Sequence, residues 1–91
     1  MNVYIPEGDK THLGFRLPGP VSVDKETELV KKFLLDKGVE IGKSEMMPYC
    51  DIYKCKLGGL GFELCVDLDY GCTILADEDT AATLEKLLSE A

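Results

Sequence analysis

From Leu60 to Leu68 every even position is apolar, and the residues between them are Gly61, Glu63, Cys65 and Asp67, with Asp69 next. A period of two sustained over this length specifies a strand buried on one face and wet on the other. On a helix the same five apolar residues would scatter around the circumference. Asp69-Tyr70-Gly71 then supplies turn residues, with a glycine where positive φ is often needed. A second run rich in branched residues follows at Cys72 to Ala76. The expectation is a β-hairpin whose first strand lies in the middle of a sheet.

The flanking segments read against that hairpin. Residues 1–5 and His12 to Leu17 form an opening strand pair, with Leu13, Phe15 and Leu17 on one face. Pro18-Gly19-Pro20 stops the second strand. A helix from about Asp24 to Lys37 follows, capped by Ser22 or Asp24 and closed by Gly38. Its apolar stripe is Leu29, Val30, Phe33 and Leu34, and Lys31, Lys32 and Lys37 lie towards its negative end. Val39 to Ser44 reads as a strand, and residues 45–48 fit either a strand end or a loop. Asp51 to Leu57 is a further strand, turning through Gly58-Gly59 into the organising one. Asp77-Glu78-Asp79 opens a last helix, with Thr80 a further cap candidate and Ala81, Leu84, Leu87, Leu88 and Ala91 as its apolar stripe.

The predicted fold is therefore α+β, a single domain over residues 1–91. It is a two-layer sandwich with a mostly antiparallel sheet of about five strands and two helices packed on one face. The other face of the sheet is left open.

Hydrophobic residues make up 45% of the chain, enough for a packed core and against disorder. The formal net charge is -7, and Arg16 is the one arginine. Nucleic acid is not an expected partner, because phosphate binding needs clustered cations. No apolar run reaches the roughly 20 residues that span a bilayer, so no membrane role is expected. The amino terminus lacks a basic region before an apolar core, which points to the cytoplasm and to reduced thiols.

Cys50, Cys55, Cys65 and Cys72 lack the close paired spacing of zinc knuckles, and no metal or cofactor is expected from them. Cys65 shares a face with Glu63 and Asp67, whose charges raise a thiol pKa rather than activate it. Asp67 to Glu78 imitates the length of a calcium loop, but Cys72 stands where its glycine belongs. His12 is the sole histidine, and no serine has it as a plausible base. His12 and Arg16 are instead expected to meet Glu63 or Asp67 on the open face. No catalytic set emerges, and the chain reads as a non-enzyme.

The stretch GFELCVDLDYGCTILADEDTAATLEKLL, Gly61 to Leu88, resembles small bacterial proteins of the immunity or antitoxin kind. The resemblance implies a compact acidic α+β domain that neutralises a partner protein, often a toxin with a basic surface. From the residues themselves, the expected protein-binding set is Glu63, Asp67, Asp69 and Tyr70, with Asp77, Glu78 and Asp79 nearby. Tyrosine among charges suits an interface, offering apolar area and a hydroxyl together. The alternative is a small-molecule-binding domain for an apolar or cationic ligand, as a homodimer with the pocket between sheet faces. Met46, Met47, Tyr49, Tyr53 and Phe62 would line that pocket.

Overall fold

A computed structural model describes residues 2–17, 19–67 and 71–89. Along the chain run β1 (Asn2–Tyr4), β2 (His12–Arg16), α1 (Val23–Asp36), β3 (Glu40–Met46), β4 (Cys50–Leu57), β5 (Leu60–Asp67), β6 (Gly71–Leu75) and α2 (Glu78–Leu88). The strands make one six-stranded sheet in the order β1-β2-β6-β5-β4-β3. Every neighbouring pair is antiparallel. The α+β class is as expected, with six strands rather than about five. β3 falls where Val39 to Ser44 reads as a strand, and it is exposed along nearly its whole length. Ile41 alone gives it an inward period, so its sequence signal is weak.

The organising alternation is realised along β5. Phe62, Leu64 and Val66 are buried, whereas Glu63, Cys65 and Asp67 are half-buried on the opposite side. Leu64 pairs with Tyr53 of β4 and with Ile74 of β6, which sets three core positions side by side. Val30 and Leu34 of α1, and Leu84 and Leu88 of α2, join the same apolar cluster as Leu13, Leu64 and Ile74. Both helices therefore cover one face. α1 carries the chain from β2 to β3 at the far edge, and α2 returns over β1, β2 and β5.

Local chemistry fixes the helix ends. The Ser22 hydroxyl accepts from the Lys25 backbone N–H at 3.3 Å, and the Asp77 carboxylate from that of Thr80 at 2.7 Å. Asp24, Glu26, Glu78 and Asp79 occupy the first turns, where the helix dipole favours negative charge. Gly38 closes α1 at φ 90°. Two expectations about the helices need correction. Leu87 is 51% exposed, because at 100° per residue it falls to one side of the stripe that Ala81, Leu84 and Leu88 bury. Lys31 does not serve the end of α1; its ammonium donates to the Tyr53 hydroxyl at 2.8 Å and lies 4.1 Å from that ring's centre. Ala91 and Pro18 lie outside the described residues, as does the Leu68-to-Tyr70 part of the β5–β6 connection.

The two edges of the sheet are blunted differently. β1 is three residues long. β3 carries a register shift between Ile41 and Ser44, with Glu40, Lys43 and Glu45 along it. Charges and an irregular register discourage pairing with another chain.

Candidate functional site

The second face of the sheet carries no helix, and strand parity decides what it displays. From β4 it receives Cys50, Ile52, Lys54 and Lys56, and from β5 Gly61, Glu63, Cys65 and Asp67. From β6 it receives Thr73 and Leu75, and from β2 it receives His12. Lys54 sits directly opposite Glu63, and Leu75 flanks Glu63 on the other side.

One end of this face is hollowed into an open groove of about 900 Å³. It crosses four strands, from Glu40 on β3 through Lys54, Lys56, Gly61 and Glu63 to Leu75 and Asp77, with Thr11 at the rim. No residue within α1 or α2 lines it. Two glycines shape its floor. At Gly42 an added Cβ would lie 2.8 Å from the Lys54 carbonyl oxygen, so β3 approaches β4 there only without a side chain. At Gly61 an added Cβ would meet nothing within 4 Å, so the space above it belongs to the groove. The charged groups around the hollow are the carboxylates of Glu40, Glu63 and Asp77 and the ammonium groups of Lys54 and Lys56. The Lys54 ammonium leans towards Glu45 of β3, 4.0 Å away.

The predicted site residues divide. Glu63 and Asp77 come together at the groove. Asp67 shares the face with Glu63 but lies four residues along β5, about 13 Å at roughly 3.3 Å per residue. Glu78 and Asp79 stand exposed in the first turn of α2, and the Glu78 carboxylate lies 3.8 Å from the Lys10 ammonium. Asp69 and Tyr70 lie outside the described residues. Of the set expected to line a pocket, Phe62 borders the groove from its floor. Tyr53 faces the helix side beside Leu64 and is held by Lys31. Met46 and Tyr49, 86% and 82% exposed, stand with Met47 at the β3–β4 turn, away from the hollow.

His12 and Arg16 do not meet the central acids. His12 Nδ1 lies 2.5 Å from the Asp9 carboxylate and 3.2 Å from the Thr11 hydroxyl. Hydrogen bonds from His12, the Thr11 hydroxyl and the Thr11 backbone hold the Asp9 carboxyl down at about 2. The Arg16 guanidinium lies 4.6 Å from the centre of the Tyr4 ring, and that ring covers Gly14. Short local contacts outcompete partners two strands away.

The four cysteines are free thiols, split between the faces. Cys55 and Cys72 are buried on the helix side, and burial pushes both thiols up, Cys72 to about 11. Cys65 is on the open face, also held up at about 11, first by burial, then by contact with Cys50 and by the Asp67 charge. The Asp67-to-Glu78 interval is spanned by the extended β6, which separates those carboxylates.

Glu40, Lys54, Lys56, Gly61 and Leu75 belong to the groove and were not singled out from the sequence. The Gly58-Gly59 turn carried a signal for three of them, since pairing across it opposes Lys54 to Glu63 and Lys56 to Gly61. Among the described residues no helix is long and apolar enough to cross a membrane. No family model matches the chain, and no curated protein or solved structure is significantly similar to it.

Proposed function

We propose that the chain is a non-enzymatic binding module whose helix-free sheet face receives a basic segment of a partner protein. The groove over β3, β4, β5 and β6 carries this reading. Glu63 is half-buried at its centre, with Leu75 beside it and Asp77 at the rim. A partner lysine or arginine laid there meets a partly desolvated carboxylate, where an ion pair is worth more than on open surface. The net charge of -7 steers a basic partner towards the domain. An immunity or antitoxin role in the cytoplasm is one form of this reading, with a basic toxin as the partner.

A second reading has one observation in its favour, the size of the hollow. About 900 Å³ falls within the roughly 300–1,000 Å³ of small-ligand sites. An apolar or cationic small molecule would then occupy the groove, with a second copy of the chain closing over it.

Gly61→Leu separates binding from folding. An added Cβ meets no atom within 4 Å, so the larger side chain extends into the groove, and replacing a strand glycine does not weaken the sheet. The expected outcome is an unchanged or slightly raised unfolding temperature with loss of the partner. Native mass spectrometry of the untagged protein drawn from its host extract reads the result. The wild type should carry a second, basic polypeptide, and Gly61→Leu and Glu63→Lys should both lose it. A small bound mass on a wild-type homodimer selects the ligand reading. A polypeptide retained equally by all three proteins removes the groove from the account.

A further inference from the structure

At the end of the open face remote from the groove, three sulfur-bearing side chains come together from β4, β5 and the β3–β4 turn. Cys50 of β4 is paired with Asp67 of β5, and Cys65 is paired with Ile52, so the two cysteines are diagonal neighbours on one face. Diagonal positions on neighbouring strands lie within side-chain reach. After burial, Cys50 is the next cause of the raised Cys65 thiol pKa, as expected of a near neighbour. On the other side of Cys50, the Met47 backbone N–H donates to the Cys50 carbonyl at 2.8 Å, continuing the β3–β4 register past Met46 and Asp51. Alternation therefore puts Met47 on the open face with Glu45, directly across from Cys50. Both thiols are half-buried, and the Met47 side chain is exposed.

The geometry points to a binding site for a soft monovalent d10 cation, copper(I) being the probe, held by the Cys50 and Cys65 thiolates with the Met47 thioether as third donor. Thiolate and thioether sulfur select such ions over hard ones. Zinc is a poorer fit, because its structural sites take four nitrogen or sulfur ligands, and among the described residues no three His, Cys, Asp or Glu side chains gather as a metal cluster. Copper(I) is satisfied by two or three soft donors. Binding replaces the two S–H bonds by two Cu–S bonds and releases two protons to the buffer. The copper stays monovalent, the site gains one negative charge overall, and affinity rises with pH. The Cys pair is invisible to motif reading because it comes from register, fifteen residues apart in the chain.

The test is anaerobic titration of the reduced, full-length protein with copper(I) in competition with bicinchoninate. One equivalent of tightly held copper is expected. Cys50→Ser and Cys65→Ser should each weaken it beyond the roughly 10–100-fold that loss of an outer-shell partner costs a metal site, and Met47→Leu by about 10-fold. Cys55 and Cys72 stay in every variant, so residual uptake by buried thiols is subtracted directly, and circular dichroism confirms that each variant is folded. Copper uptake unchanged in either serine variant overturns the site, as does a wild type that yields all its copper to the chelator.

Discussion

Leu64→Ala should destabilise the fold by about 2–5 kcal/mol, the range for truncating a fully buried leucine. Leu64 is 0% exposed and lies between Tyr53 and Ile74 in the middle of the sheet, under both helices. Flanking strands limit how far the site can collapse into the space left behind, so the upper half of the range is expected. Against the roughly 5–15 kcal/mol that holds a domain of this kind together, the variant loses about a quarter or more of its stability. Urea denaturation followed by circular dichroism measures it. A loss below about 1 kcal/mol would mean that β5 does not carry the centre of the core.

Gly71→Val should cost about 3 kcal/mol, for two reasons that act together. Gly71 has φ 84°, a left-handed conformation that is strained for a β-branched residue. Its missing Cβ is also the space occupied by the Glu26 carboxylate. That carboxylate reaches from the first turn of α1 to accept the Cys72 backbone N–H at 2.5 Å, and it ties α1 to the start of β6. A side chain at position 71 displaces the carboxylate, and a part-buried N–H loses its acceptor, at about 1–3 kcal/mol. Glu26→Ala should lose that second contribution alone, while Glu26→Gln, which keeps an acceptor oxygen at the same reach, should lose less. In the double variant Gly71→Val with Glu26→Ala the two losses should fall short of their sum, since both break one contact. Strict additivity in thermal unfolding would show that the two residues do not act through a shared hydrogen bond.

What was legible in the chain was whatever repeats locally. The alternation in β5 assigned Glu63, Cys65 and Asp67 to one face and Phe62, Leu64 and Val66 to the other, as found. Caps at Ser22 and Asp77 were written in the residues that accept backbone N–H groups. Non-local pairing was not legible. The placement of β2 beside β6, whose paired residues stand more than sixty positions later, brings Thr11 to the groove and sets His12 beside Leu75. The groove itself is made of what is missing, the side chains of Gly42 and Gly61, and a glycine inside a strand does not announce whether it marks a close approach or an opening. Charged residues misled in a different way. Arg16 and His12 had the right parity to reach Glu63, but an aromatic ring and a turn carboxylate were closer.

The most direct test of the open-face groove as the binding surface is amide chemical-shift mapping of the labelled protein titrated with a short arginine-rich peptide at low salt. The account predicts the largest shifts at Gly61, Glu63, Leu75, Ala76 and Asp77, little change along the outward side of α1, and loss of the pattern in Gly61→Leu. Shifts spread evenly over the surface carboxylates, or confined to the first turn of α2 and equal in Gly61→Leu, would contradict it.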